Sequence, residues 1–419
     1  MKKNIFLSLL VSFLAVFLVV GFSTTALAKE IRIGGLNDTT GATSDVGKDY
    51  AIGMADAYKY INAQGGVNGI QIKYTWFDYG YRIPEAITKY KLLKRLGNIA
   101  IMGWGTGDTE ALSPTINKDK IPYVSASYSA HLTDPKKTPY NLFFSSDYST
   151  NARACLTAWF DKKWPQKKDY KKRAPRFAAC YMFASPYGSA PIKAIKDQAK
   201  LLGFEIGDDQ DVSLFALDAK SQVMALKKFA PDVVWHGNTT MSVAATVRDG
   251  YALGLGADWI INNWGFDENL FRLAGEAAEG LMGATPCAFF GQNYPNMDLV
   301  VSSAELYSPG VPLGNRLVRT VQAWGDALIL WEAMKRAAKK GVDLTKPGCG
   351  PAVMTEGFET FRNFDIGLGA SPISFTVTDH RPTTGCLVQE WKGGKLVEVE
   401  RVDLKQRWPE LWEKKWLGW

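Results

Sequence analysis

The chain has 419 residues, of which 46% are hydrophobic and 22% charged, and its formal net charge is +7. This composition excludes a disordered or fibrous chain, and the length exceeds the roughly 250–300 residues at which one hydrophobic core stops growing, so two lobes are expected. So small a positive excess, without a groove-entering motif, also excludes a nucleic-acid-binding chain.

Lys2 and Lys3 precede an apolar run from Ile5 to Val20, and Ala26-Leu27-Ala28 follows at the distance of a cleavage site. The pattern predicts a removable signal peptide over residues 1–28 rather than a membrane anchor, because no second long apolar stretch follows. No cysteine stands at the cleavage point to take a lipid. Ile31 to Leu36 reads as a strand, 37–48 as a polar loop, and 49–63 as a helix stopped by Gly65-Gly66. Ile70 to Phe77 is the next strand, 84–96 the next helix, and Ile99 to Met102 a short buried strand ending in Gly103-Trp104-Gly105-Thr106-Gly107-Asp108.

The same rhythm continues through strands at 121–125, 177–183, 233–235 and 259–261. Strands alternating with helices predict βαβ units and a parallel sheet, in which ligands bind at the carboxyl ends of strands. The loops there are 37–48, 103–108, 125–129, 185–188, 236–240 and 262–267, and nearly all carry hydroxyls, amides, glycines or aromatics. The basic cluster from Lys162 to Arg176 reads as a solvated surface loop. The last third predicts a helix over 316–339 and strands at 373–377 and 387–399, with a Lys392-Gly393-Gly394-Lys395 turn. Of Trp408, Trp412, Trp416 and Trp419, three share one helix face that packs against the body.

Cys155, Cys180, Cys287, Cys349 and Cys386 allow at most two bridges in an oxidising compartment, and the spacing does not choose the pairing. Cys155 with Cys180 is the pair to test first, one lying in a predicted helix and the other in the strand that follows. His131, His236 and His380 are isolated and no Cys-x-x-Cys occurs, so neither a metal nor another cofactor is expected. The glycines at 103, 105 and 107 miss the dinucleotide spacing, because position 108 is Asp. No Gly-x-Ser-x-Gly elbow occurs, so an enzyme is not expected.

Six segments carry a resemblance: Ile33-Gly34-Gly35-Leu36 before a Thr-Gly loop, Tyr60 through Gly69, Ile121-Pro122-Tyr123-Val124-Ser125, Ala184-Ser185-Pro186-Tyr187-Gly188, Ala277-Ala278-Glu279-Gly280 and Asp379-His380-Arg381-Pro382. Together they span nearly all of the chain after residue 28, in order, and Gly65-Gly66-Val67-Asn68-Gly69 is the most specific. On these segments the chain resembles the type I periplasmic binding proteins of branched-chain and hydrophobic amino-acid ABC importers, the Leu/Ile/Val-binding family. The resemblance implies an α/β fold of two Rossmann-like lobes, a clamshell joined by a three-segment hinge crossing near 144–148, 283–288 and 367–374. It divides the chain into lobe 1 (29–145 and 286–370), lobe 2 (146–285 and 371–405) and a Trp-rich tail (406–419).

Carried over by position, a ligand carboxylate falls to the loops Gly105-Thr106-Gly107 and Ser127-Tyr128-Ser129, with Tyr187 and Thr239 supplied by the second lobe and Trp104 beside the first loop as an aromatic wall. Val46 stands where some members place an aromatic. Trp264 stands where the family's acid meets the ligand ammonium, and Asp267 is three residues on. The function implied is a periplasmic substrate-binding component that delivers a small molecule to an inner-membrane ABC permease, as a monomer and without nucleic acid. The ligand is open between an amino acid, an aromatic or other carboxylate and an amide, and a sensing protein feeding a signalling receptor is the alternative.

Overall fold

The structure is a computed structural model that describes residues 29–414. The expected export signal, Trp416 and Trp419 lie outside the described residues. Two parallel sheets organise the described chain. The first has the order β2-β1-β3-β4-β5, with β1 Ile31–Asn37, β2 Ile72–Asp78, β3 Ala100–Gly103, β4 Tyr123–Ser125 and β5 Asn141–Leu142. The second is built on β6 Arg176–Tyr181, β7 Glu205–Ile206, β8 Gln210–Asp211, β9 Val233–His236, β10 Asp258–Ile261 and β11 Met282–Ala284. Its spatial order is β13-β12-β11-β10-β9-β6-β7, and β8 also pairs with β6. The antiparallel β12 Gly385–Lys392 and β13 Lys395–Asp403 close one edge. Their turn places Gly393 and Gly394 at φ of 57° and 77°, the left-handed pair that a two-residue hairpin needs.

Each parallel set runs outward from its first strand in both directions, which leaves a topological switch point beside β1 in one sheet and beside β6 in the other. The principal helices are α1 Ser44–Ala63, α2 Ile83–Arg95, α3 Thr106–Asp119, α4 Tyr148–Lys162, α5 Ile192–Leu201, α6 Lys220–Phe229, α7 Thr240–Ala252, α8 Glu268–Ala274, α9 Met297–Tyr307 and α10 Val318–Lys339. The chain passes between the sheets after β5, after β11 and before β12. Helix α10 therefore belongs to the first lobe although it lies late in sequence. It packs on α1 so closely that a β-carbon on Gly53 would come within 2.8 Å of Thr320 Cα. The buried pair is laced by Tyr50 Oη donating to Asp326 at 2.8 Å and by Arg316 bonded to Asp56.

Several expectations need correction. Helix α1 begins at Ser44, five residues before its expected start. The buried Asp38 carboxylate gathers the N–H groups of Gly41 and Thr43 and the Thr43 hydroxyl, which turns a polar segment directly into a helix. Ile373 to Val377 forms only isolated bridges, because Ile373 and Phe375 enter the Phe358–Phe361 cluster by side chain rather than by ladder. Met282–Ala284 is a strand inside an expected crossover, and at Gly283 a β-carbon would stand 2.6 Å from the Phe266 ring.

The five cysteines are all free, so the Cys155–Cys180 bridge is absent. Alternation along β6 sends Phe177 and Ala179 to the face that meets Cys155 on α4 and sends Cys180 to the opposite face. The basic cluster is tied down rather than merely solvated: Lys167 pairs with Asp258 at 2.8 Å and Arg173 with Asp232 at 2.6 Å. At the C-terminus Trp412 is buried, with the Arg381 guanidinium 3.9 Å from its ring centre. No helix of the described residues is long and apolar enough to cross a membrane.

Candidate functional site

The carboxyl ends of the two sheets face each other across a small chamber. From the first lobe come Thr43 and Val46 after β1, Tyr81 after β2, Trp104, Gly105 and Thr106 after β3, and Ala126 after β4. Tyr148, Tyr187, Thr239 and Trp264 complete the wall, which borders about 260 Å³ free of protein atoms, part of it open to solvent. None of these residues carries a charge.

Local chemistry aims each wall. The Asp38 carboxylate accepts from the Thr43 hydroxyl, and the oxygen of that hydroxyl accepts from Trp104 Nε1 at 2.8 Å, which fixes the indole. Gly105 is required by space rather than by dihedral angle: a β-carbon there would meet Asp108 Oδ1 at 2.3 Å and Tyr81 Cε2 at 2.5 Å. Helix α3 starts at Thr106 with its N-terminus turned to the chamber, a place that favours negative charge. Thr106 Oγ1 and Ser127 Oγ lie 2.8 Å apart, and Tyr148 Oη accepts from Trp264 Nε1 at 3.0 Å. The buried Tyr187 hydroxyl has no hydrogen-bond partner among the described residues.

Trp264 reaches from the second lobe into a cluster of first-lobe rings. Its ring centre lies 4.9 Å from that of Trp104, 6.0 Å from that of Tyr50 and 5.8 Å from that of Tyr128. The guanidinium of Arg319, on α10, sits 5.0 Å from the Trp264 ring centre and is fully buried. It donates to Asn263 O at 2.9 Å and to Asp267 Oδ2 at 3.2 Å, both on the loop that carries Trp264. A further bond crosses the cleft, from Met241 N at the start of α7 to Asp45 Oδ2 on α1 at 3.1 Å. Burial pushes the Asp45 carboxyl up to about 6, against the lowering effect of the Met241 N–H. Asp108, which accepts from Tyr79 Oη at 2.7 Å, is likewise pushed up to about 7 by burial.

Of the residues proposed from sequence, Trp104, Gly105, Thr106, Tyr187, Thr239 and Trp264 meet at the chamber. Ser127 stands one bond behind Thr106. Tyr128 packs among Phe143, Phe144 and Tyr148, and Ser129 donates to Glu110 at 3.0 Å. Asp267 faces away: it caps α8 through Leu270 N and takes bonds from Thr240 and Arg319. Sequence reasoning missed Thr43, Tyr81, Ala126 and Tyr148 as wall residues. The signal for Tyr81 was its place at the end of β2, the strand next to the switch point. Arg319 was missed too. His236 is a satisfied core residue, its Nε2 3.0 Å from Thr246 Oγ1, and burial holds its pKa down to about 3.

Comparison with known proteins finds the periplasmic binding protein family matching residues 30–395. The chain is similar to the crystal structure of an ABC transporter substrate-binding protein from Aeropyrum pernix, at 30% identity and a TM-score of 0.77, covering 90% of this chain and 96% of that one. It is similar in fold to a branched-chain amino acid ABC transporter protein from Thermus thermophilus with bound valine, at 24% identity and a TM-score of 0.81, covering 91% and 99%. It is also 22% identical to the Leu/Ile/Val-binding protein of Citrobacter freundii over 278 residues, 65% of this chain and 72% of that protein.

Proposed function

The chain belongs to the periplasmic binding protein family, and from that premise we propose that it closes on a small carboxylate with an apolar or aromatic body and hands it intact to its permease. It is a substrate-binding protein of the ABC-transporter type and not an enzyme. The observation that carries the ligand reading is the uncharged chamber wall. An ammonium shut in there would lack an anionic partner, at a cost of several kcal/mol. A carboxylate has the Thr106 amide at a helix N-terminus and the hydroxyls of Thr106 and Tyr187, which form charge-assisted bonds. Trp104 and Trp264 supply flat apolar walls for the body of the molecule.

Closure takes place about the three crossings, between residues 29–145 with 286–370 and residues 146–285 with 371–405, and the permease reads the closed shape of a monomer in the periplasm. Ligand that bridges both walls shifts the population toward that shape. Thermal-shift measurements with benzoate, phenylacetate, their amides, leucine and phenylalanine test the ligand class. Stabilisation follows RT ln(1 + [L]/Kd), about 2.7 kcal/mol at a hundredfold excess over Kd, and is expected for the acids that lack an amino group. Tighter binding of the α-amino acids would overturn the reading.

The Asp45 bond adds a pH dependence. Opening returns the carboxyl to water and to its ordinary value of 3.8, whereas closure holds it near 6, so the closed form takes up the proton more readily. Closure is then most favoured below pH 3.8, loses that advantage as pH rises to 6, and changes little above it. Affinity at pH 5 is expected to exceed that at pH 7.5 by about threefold or more by titration calorimetry, a slope that Asp45→Asn should flatten. An equal slope in the variant would place the titrating group elsewhere.

A further inference from the structure

Tyr81 stands between two spaces. One side of it walls the inner chamber of about 260 Å³. The other faces a larger space of about 610 Å³ towards the cleft mouth, lined by Ala42, Ile83, Met182, Leu214 and Phe215. The α3 loop follows the same partition, with Gly105 and Thr106 on the inner side and Gly107 and Asp108 on the outer. The outer space is lined mostly by apolar groups, with Asp108 and Ser185 among them, and Phe215 is 67% exposed and Ile83 38%.

The backbone at this divider is unusual. Gly80 and Tyr81 are both left-handed, with φ of 59° and 57°, and tyrosine adopts that region only when its surroundings hold it there. Tyr79 holds it from one side, with ring centres 6.3 Å apart, and the absence of a side chain at Gly105 lets the ring seat against that loop. A left-handed turn after β2 thus aims an aromatic ring across the passage. A ring at this position has no part in the first lobe's helix pairing, and its burial is only partial.

We propose that Tyr81 sets the upper length of the ligand, closing the inner chamber against the apolar vestibule so that this protein takes short acids and rejects longer amphiphilic ones. The inference rests on the ligand reading above and deepens it. In the closed form a short acid occupies the inner chamber, and a tail directed from it towards the vestibule meets the ring of Tyr81.

The test uses Tyr81→Gly and Tyr81→Phe in the full mature chain, with ω-phenylalkanoates from benzoate to 6-phenylhexanoate and the matching amides, read by calorimetry. Glycine accepts the left-handed backbone at no steric cost, so the variant is expected to fold. The wild type and Tyr81→Phe should lose affinity at least tenfold beyond a threshold length, and Tyr81→Gly should regain at least tenfold for acids beyond it. The same threshold in the wild type and Tyr81→Gly overturns the proposal. Binding of the amides alone would sink the carboxylate reading but still report the length threshold. If no member of either series binds, a crystal structure of Tyr81→Gly decides: one continuous space supports the divider, and two separate spaces overturn it.

Discussion

Trp264→Ala is expected to weaken ligand affinity on the order of a hundredfold, with a much smaller effect on the stability of the ligand-free protein. The indole forms one wall of the chamber and also joins the lobes, through the rings of Trp104, Tyr50 and Tyr128. Truncating a buried tryptophan costs about 3–5 kcal/mol, and tenfold in affinity corresponds to about 1.4 kcal/mol, so even the lower end gives a hundredfold. In the proposed hinge motion those ring contacts are made on closure, so the loss falls on closure and hence on binding. Calorimetry with the tightest ligand of the acid panel reads it. An affinity within threefold of wild type would show that the indole neither lines the site nor supports closure.

Arg319→Met is expected to lower the unfolding free energy of the closed, ligand-bound protein by about 3–5 kcal/mol, the cost of removing one partner from an ion pair that is fully buried in that form. The methionine fills much of the space and removes four bonds, to Asn263 O, Gln322 Oε1, Phe266 O and Asp267. What remains is the Asp267 carboxylate, buried, with only Thr240 and Leu270 N to answer it. Adding Asp267→Asn should recover part of the loss, because the double variant buries no lone charge. Chemical unfolding followed by tryptophan fluorescence measures both. A midpoint unchanged in Arg319→Met would mean that the pair contributes nothing, and a double variant no better than the single would assign the loss to the arginine's packing and carbonyl bonds.

The alternation of strands and helices was legible because parallel strands buried on both faces leave continuous apolar runs such as Ile99 to Met102 and Val233 to Trp235, separated by polar loops. The loops that build the chamber were legible for the same reason: strand ends in such sheets are where ligands sit, and the hydroxyls and glycines at 103–108 advertised themselves. Other features were hidden by chain distance. Arg319 acts on a loop more than fifty residues earlier, and no local pattern announces that meeting. Tyr81 was hidden by conformation, since a left-handed tyrosine reads in sequence like any aromatic after a strand. Gly283 concealed β11, because glycine signals a bend until the Phe266 ring against it is seen. The cysteine pair was misjudged because neighbours in predicted order lie on opposite faces of one sheet.

The late return of α10 to α1 bears on how the molecule comes into being. The bond from Tyr50 to Asp326 joins residues 276 positions apart, and no fragment that stops short of residue 318 can cover the exposed side of α1. Synthesis of the first three hundred residues therefore yields no finished half. Contacts of such wide separation make acquisition of structure slow, and the first lobe is completed only late in the chain.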